Sequence, residues 1–213
     1  MKCDGAEPPG AARALGLLQA RHMLAALRAL LDGPHRFCEL WRLSGAPSAT
    51  TLSVRLRELE AEGVVRGCGG VYTLTGRGSA LGPLFATLGG FTRRHPVSDP
   101  EAMLAALGAR YALGIMRELT RREPDGGEAP REVRFNELQR ALGAPSATTL
   151  TRRLGELERL GLIRRRVVST RPPHTLYACS EAGEAFGPVV GEIVAWGEAN
   201  LGAGEEEVAS ASA

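Results

Sequence analysis

Apolar residues recur at helical spacing in the first part of the chain. Between Leu15 and Leu31 they follow one another at intervals of three and four residues, and the pattern stops at Asp32-Gly33-Pro34. This periodicity predicts one amphipathic helix that ends at a turn. A second, shorter helix is predicted from Phe37 to Leu43, ending at Ser44-Gly45.

A third helix is predicted directly after this turn. Ser48 is a good N-cap, because its hydroxyl can accept a hydrogen bond from a free backbone N–H of the first turn. Leu52, Leu56 and Leu59 then fall on one helical face, which predicts that this face is buried. Gly63 supplies the left-handed residue that closes the helix.

Two short β-like runs follow the third helix. Val64–Arg66 and Val71–Leu74 are joined by Gly67-Cys68-Gly69-Gly70, which predicts a hairpin, and a last helix is expected from about Ser79 to Phe91. Two short helices joined by a glycine-containing turn and followed by a β-hairpin are typical of a winged helix-turn-helix.

The whole unit occurs a second time. Gly45–Leu52 recurs unchanged as Gly143–Leu150, and matching residues continue on both sides. Self-similarity of this kind indicates a duplicated domain. The second copy predicts helices over Leu104–Leu119, Phe135–Leu142, Ser146–Leu160 and Glu184–Asn200, with strands over Leu162–Val168 and Thr175–Cys179.

The duplication sets the expected domain organisation. We expect winged-helix domains at 11–92 (copy one) and 101–201 (copy two), a linker at 93–100, and disordered ends at 1–10 and 202–213. The predicted fold class is mainly α with small β-hairpins, arranged as tandem winged helix-turn-helix domains.

Copy two carries a characteristic series of residues. Arg134-Phe135-x-Glu137-Leu138 and Leu150-Thr151-x-Arg153-Leu154 are followed by Pro172-Pro173 and Tyr177. This pattern resembles the HxlR-type winged-helix regulators, relatives of the MarR group. The resemblance implies a cytoplasmic transcription regulator that binds DNA and needs no cofactor. Two departures stand out: the tryptophan usual in the first helix is His22 or Tyr111 here, and copy one lacks the paired prolines.

The resemblance also implies where DNA is contacted. In this motif the second helix of the pair enters the major groove of double-stranded DNA, and its N-terminal side chains reach base edges. The side chains at the start of this helix carry mostly hydroxyl and methyl groups, which favour modest sequence specificity. The alternative for the threonines is that they are solvated residues at the helix start without a role in DNA binding. The predicted contacts on these helices are Ser48, Ala49, Thr50, Thr51, Ser53, Val54, Arg55 and Arg57 in copy one, and Ser146, Ala147, Thr148, Thr149, Thr151, Arg152 and Arg153 in copy two.

Arg55 and Arg153 have two interpretations. The family position tends to support the phosphate backbone, but Glu58 and Glu156 lie three residues on, at the spacing of an intrahelical ion pair. Both interpretations stay open at this stage.

Positive charge is concentrated in copy two. Residues 131–171 hold ten arginines and four glutamates, a net charge of +6, whereas the equivalent residues 33–73 hold five and four, a net charge of +1. A basic surface is what phosphate contacts require, so copy two is expected to contribute more affinity. Arginine abundance alone is also explained by GC-rich codon usage. The predicted wing contacts are Arg164, Arg165, Arg166 and Arg171.

The four cysteines fit neither a zinc site nor a disulfide framework. No two share a C-x-x-C spacing, and no histidine follows at zinc-finger spacing, so no metal is expected. Cys3 and Cys68 are the candidates for redox sensing, whereas Cys38 and Cys179 are expected to pack inside the protein.

Other function classes find little support in the sequence. The four histidines are scattered, and no P-loop, G-x-G-x-x-G or H-E-x-x-H motif is present, so an enzyme is not expected. No apolar run is long enough to span a membrane, and the start lacks the pattern of a signal peptide. The serious alternative is a tandem winged-helix scaffold that binds protein without touching DNA directly.

The duplication also suggests an oligomeric arrangement. Proteins of this type pair through their terminal helices, so two fused copies predict an intramolecular pseudo-dimer on one pseudopalindromic DNA site. Further pairing of two chains stays open, as does the effector, which could be a small molecule or an oxidant.

Overall fold

The computed structural model describes residues 8–20, 22–96, 99–121, 131–171 and 173–202. Residues 1–7 and 203–213, which fall within the ends predicted to be disordered, lie outside these ranges, and the first helix begins at Pro9. Among the described residues, the chain divides into a first unit of residues 8–89 with 192–202, and a second unit of residues 90–191.

Copy one contributes a winged helix-turn-helix with a three-stranded sheet. Its strands are ordered β1-β3-β2, all antiparallel. The elements are α1 Pro9–Leu18, α2 Met23–Asp32, β1 His35–Arg36, α3 Phe37–Ser44, α4 Ala49–Ala61, β2 Val65–Cys68, β3 Val71–Leu74, α5 Gly76–Ser79 and α6 Gly82–Arg94.

Copy two repeats this order with longer wing strands. Its sheet has the order β4-β6-β5 and is again antiparallel. The elements are α7 Pro100–Leu107, α8 Ala112–Thr120, β4 Val133–Arg134, α9 Phe135–Ala141, α10 Ala147–Arg159, β5 Ile163–Val168, β6 His174–Cys179 and α11 Glu181–Leu201. The tandem winged-helix fold class is therefore confirmed.

The first predicted helix of each copy is two helices, which corrects the sequence interpretation. His22 and Tyr111 have φ of 70° and 72°, so the right-handed helix cannot pass through either residue. The periodicity hid this break because the helices on both sides bury their apolar residues. The last helix of copy one, predicted from about Ser79 to Phe91, corresponds to α6, and the short helix α5 that precedes it was not predicted.

The sheet also has one strand more than the hairpin predicted. His35 and Arg36 pair with Tyr72 and Val71, and Val133 pairs with Tyr177 in the same way. A strand of two residues is too short to show an alternating pattern, so sequence periodicity could not detect it.

The predicted core of the third helix is confirmed in both copies. Leu52, Leu56 and Leu59 are each 1% exposed, and their counterparts in α10 are buried to the same degree. Burying a leucine side chain stabilises a fold by roughly 1.5–3 kcal/mol. Three such residues on one face therefore fix which face of α4 or α10 remains outside.

A glycine and a hydroxyl residue fix the base of each wing. A Cβ on Gly78 would meet the Val64 carbonyl oxygen, and one on Gly183 would meet that of Leu162, so only glycine fits. Thr75 donates its hydroxyl to the Gly63 carbonyl at 2.6 Å and accepts from Gly78 N at 3.2 Å. Ser180 makes the corresponding bonds in copy two.

The end of α11 completes the first unit. Gly10 and Gly197 touch so closely that a Cβ on either would meet the backbone of the other. Ala11 N donates to Glu198 Oε1 at 3.2 Å, and Arg13 donates to the Leu201 carbonyl at 2.7 Å. Helix α1 is thus packed against the end of α11.

Within the described ranges, no helix is long and apolar enough to cross a membrane.

Candidate nucleic-acid interface

In each helix-turn-helix, a side chain of the first helix donates a hydrogen bond to the backbone of the turn. Trp41 Nε1 donates to the Ala46 carbonyl at 2.9 Å, and Gln139 Nε2 donates to the Pro145 carbonyl at 2.8 Å. Trp41 and Gln139 occupy equivalent positions in the two copies, so two different side chains hold the turn by a hydrogen bond. Because this hydrogen bond fixes the turn, it also fixes the orientation of the start of α4 or α10.

The predicted N-caps are confirmed. Ser48 Oγ accepts from Thr51 N at 3.1 Å, and Ser146 Oγ accepts from Thr149 N at 3.2 Å. The hydroxyls of each pair also bond to one another, at 2.9 and 2.8 Å. These four predicted contact residues are therefore occupied in forming the helix starts, and their neighbours are left to face solvent.

The shared octamer nevertheless takes two different turns. In copy one Gly45 has φ 66° and Ala46 N donates to Ser44 Oγ at 3.3 Å. In copy two both Gly143 and Ala144 have positive φ, at 75° and 57°. The identical residues therefore do not fix an identical backbone.

The residue before the octamer contributes to the difference. Ser44 offers a hydroxyl to the turn, whereas its counterpart Leu142 is buried and offers none. Ala144 N donates instead to the Gln139 carbonyl at 2.7 Å, which closes the helix end in a left-handed turn. That conformation costs a residue with a Cβ about 1–2 kcal/mol.

The outward face of α4 carries few long polar side chains. Thr50, Val54 and Arg57 are exposed, with Val54 at 45%, while Ala49 and Ser53 are partly covered. The face lies opposite the buried leucines, where a groove-binding helix must present its side chains.

The outward face of α10 is more exposed and differently charged. Ala147, Thr148, Thr151 and Arg152 are all exposed. An arginine thus occupies the position at which α4 carries Val54, since the copies are offset by 98 residues here.

Arg55 and Arg153 both form the intrahelical ion pair. Arg55 Nη1 lies 2.8 Å from Glu58 Oε2, and Arg153 Nη1 lies 2.7 Å from Glu156 Oε2. Arg153 Nε is buried and has no hydrogen-bond partner among the described residues. The phosphate role of these two arginines stays a prediction.

The arginines of the copy-two wing do not point the same way. Successive residues of β5 face opposite sides of the sheet, so Arg165 lies across from Arg164 and Arg166. Arg165 pairs in register with Tyr177, and burial raises the pKa of the Tyr177 hydroxyl while the nearby Arg165 opposes that rise. Arg164 and Arg171 are exposed.

Glu132 holds one of the wing arginines. Arg166 Nε donates to Glu132 Oε1 at 3.1 Å, and Arg166 Nη2 donates to the other carboxylate oxygen. This hydrogen bonding lowers the pKa of the Glu132 carboxyl, which therefore stays ionised at neutral pH. Sequence reasoning missed this pair, because the residues are 34 positions apart and no local pattern connects them.

The copy-one wing is shorter and less basic. Gly69 and Gly70 form its two-residue tip with φ of 58° and 79°, as a tight hairpin turn requires. Arg66 is exposed on the first strand, at the position of Arg164 in copy two. The paired prolines of copy two have no counterpart here, and Pro172 lies outside the described residues.

The cysteines separate into exposed and buried groups. Cys68 is exposed as expected, and Cys3 lies outside the described residues. Cys38 is exposed as well, so the prediction that it packs inside is wrong: its position on α3 faces away from the buried Leu40. Cys179 is buried as predicted, and burial raises the pKa of its thiol to about 12. The described residues contain no cluster of side chains suited to a metal ion.

Comparison with known proteins supports this description. The HxlR-like helix-turn-helix family matches residues 17–98 and 107–205. The HTH-type transcriptional regulator YdzF of Bacillus subtilis is 32% identical over 102 residues, which are 48% of this chain and 86% of that protein. YvaP, another HTH-type transcriptional regulator of B. subtilis, is 38% identical over 63 residues, 30% of this chain and only 58% of its own length.

A solved structure is also similar. The redox regulator HypR in its oxidised form is 30% identical, with a TM-score of 0.38, and the match covers 46% of this chain and 92% of HypR. The named relatives are regulators and not enzymes. Because the family matches most of the chain in two successive stretches, the chain belongs to the HxlR-like helix-turn-helix family and contains its helix-turn-helix twice.

Proposed function

We propose that the chain is a transcriptional regulator that binds double-stranded DNA in a sequence-specific manner. The observation that carries the proposal is the outward face of α4 and α10, where hydroxyl, methyl and guanidinium groups are exposed opposite three buried leucines. Each helix is capped by a serine and directed by a fastened turn, so these groups are presented in a fixed geometry.

The charge distribution supports a backbone contact beside each helix. Arg164 and Arg171 are exposed on the copy-two wing, and no hydrogen bond or ion pair of either is found among the described residues, although the charge of Arg164 helps to lower the pKa of nearby Glu132. Free guanidinium groups on a wing are suited to bind phosphate, and each one bound releases counterions from the duplex. The wing of copy two therefore binds the DNA phosphate backbone more strongly than the wing of copy one does.

One chain supplies two recognition helices. Symmetric dimers of this type place their helices about one DNA turn, roughly 34 Å, apart in successive major grooves. The proposal is that the duplication provides the same pair within one chain, as an intramolecular pseudo-dimer. Light scattering of the protein–DNA complex should give one chain per duplex, and two chains per duplex would contradict this part.

Mobility shifts on genomic fragments test the proposal. A glutamate at Thr50 or Thr148 places a negative charge on the outward face, so T50E and T148E should each weaken binding at least tenfold. Ala105→Glu, on the exposed side of α7, adds the same charge elsewhere and should have little effect. Affinity should fall steeply with salt. Wild-type affinity in all three variants would contradict contact through these helix faces, and binding that ignores salt would contradict a DNA-binding regulator.

A protein-binding scaffold is the second candidate, and one observation favours it. Trp41 and Leu43 of copy one are 40% and 54% exposed, where copy two has the smaller or more polar Gln139 and Ala141. Exposed apolar side chains are common at protein contacts. A scaffold would bind no duplex in the mobility shift, so the same experiment separates the two candidates.

A further inference from the structure

The two recognition helices begin alike and then diverge on their outward face. Ala49–Leu52 and Ala147–Leu150 are identical, but the sixth helix residue is Val54 in α4 and Arg152 in α10. The ninth is Arg57 in α4 and Gly155 in α10. Divergence at these positions is informative because the buried leucines and the caps stay the same.

Within its first nine residues, each helix has one free arginine on this face, and α10 carries a second exposed arginine, Arg159, at its last residue. Arg55 and Arg153 are held by glutamates, whereas Arg57 and Arg152 are exposed and have no hydrogen-bond or ion-pair partner in the described parts of the chain. A side chain with five donors and no internal partner is available to a ligand.

The free arginines lie at different heights along their helices. Three residues separate the sixth and ninth positions, which is about 4.5 Å of helix and more than one base-pair step of roughly 3.4 Å. Arg57 and Arg152 therefore extend from different positions along their helices.

The side chains at the sixth position suit different bases. Arg152 can donate two hydrogen bonds to the O6 and N7 atoms of guanine. Val54 has no donor, and its 45% exposed isopropyl group can pack only against an apolar base edge, which in the major groove is the methyl group of thymine. A guanine facing Val54 would lose its solvent contacts without gaining a donor.

We propose that the two half-sites of the operator differ: the α10 half-site has a guanine where the α4 half-site has a thymine. The DNA site is consequently non-palindromic, and the chain binds it in one orientation. The inference rests on the proposed function, because it assigns the bases that the same two helices contact. A symmetric dimer presents the same residues to both half-sites, whereas a fused pair of copies need not.

Selection of bound duplexes from a random pool tests the proposal directly. The wild-type chain should enrich a sequence whose halves share a central portion and differ at the position that faces residue 54 or 152. Arg152→Val should abolish the guanine preference in one half only and lower affinity for the wild-type site by about five- to 150-fold. Arg117→Val removes an exposed arginine from α8 and should change neither preference.

The exchange of the two residues gives the sharper result. In the double variant Val54→Arg with Arg152→Val, the guanine preference should move to the other half, so that the variant prefers the wild-type site with one base pair exchanged in each half. Circular dichroism and melting temperatures should match the wild type, because residues 54 and 152 face solvent.

Two outcomes would overturn the proposal in distinguishable ways. A palindromic enriched sequence, or a guanine preference that Arg152→Val leaves intact, would overturn the difference between half-sites and leave the DNA-binding regulator in place. Failure to enrich any duplex with salt-dependent affinity would overturn both the inference and the proposed function.

Discussion

Copy one and copy two keep the same internal framework and differ on the surface. Both have three buried leucines, a serine cap and a glycine pressed against a carbonyl at the base of the wing. They differ in the outward residues of the recognition helix, in the length of the wing and in its charge. Buried and capping positions of the two copies have thus diverged less than the outward positions proposed to contact DNA.

The largest expected effect concerns the closure of the first unit. Gly197→Val places a branched side chain against the backbone at Gly10, so we expect a loss of about 3 kcal/mol or more in the free energy of unfolding. Chemical denaturation measures it. Gly16→Val, on the same helix as Gly10 but with open space around it, is the control and should cost no more than about 1 kcal/mol. Equal costs would show that the contact does not hold the unit together.

The next prediction sharpens the contrast between the wings. Arg164→Ala with Arg171→Ala removes two proposed phosphate contacts, which should lower DNA affinity by about 30-fold at physiological salt and reduce the salt slope by about 1.8. Titrations at several salt concentrations measure both quantities. Arg66→Ala is the copy-one counterpart of Arg164→Ala and should cost less than that single change; if it costs as much, the wings are equivalent.

A smaller effect is expected at the two turns. Ala144 has a left-handed backbone and Ala46 does not, although their neighbours are identical. Ala144→Gly should therefore stabilise the protein by about 0.5–1 kcal/mol, whereas Ala46→Gly should destabilise it by a similar amount. Thermal unfolding of the two variants checks the signs, and a common sign would contradict the difference between the turns.

An effect of similar size is expected at the ion pair beside the copy-two wing. The hydrogen bonds from Arg166 lower the pKa of Glu132, so at neutral pH the carboxylate is charged and competes with phosphate for this arginine. Glu132→Gln should raise DNA affinity about fivefold and steepen the salt slope by about 0.9. Salt titration compares it with Glu101→Gln, on α7. An unchanged slope would mean that Arg166 does not reach the backbone.

The sequence predicted those parts of the fold that are encoded within a few residues. The caps at Ser48 and Ser146 and the buried leucines depend on neighbours along one helix, and all of them are confirmed. The break at His22 escaped prediction, because both flanking helices bury apolar residues and the periodicity continues across it.

Sequence patterns could not predict features that depend on residues outside the segment concerned, whether these lie next to it or far away along the chain. The octamer is the clearest case: its eight residues are identical in the two copies, so residues outside it, such as Ser44 or Leu142 directly before it, must select the turn. The ion pair of Glu132 with Arg166 depends on the pairing of strands far apart in sequence. In the candidate interface, the spacing of the leucines predicted which helix positions face outward. It did not predict which arginines are free of ion pairs, because that depends on contacts with neighbouring glutamates.

The contact of α11 with α1 has a consequence for the gene as well as for the protein. Ala11 and Glu198 are 187 residues apart, yet they belong to one folding unit. A stop codon shortly before Gly197 would leave both helix-turn-helix segments fully translated. It would still remove the end of α11 that packs against α1 in the N-terminal copy. For the same reason, two halves separated between α6 and α7 should recover stability only when they are produced together.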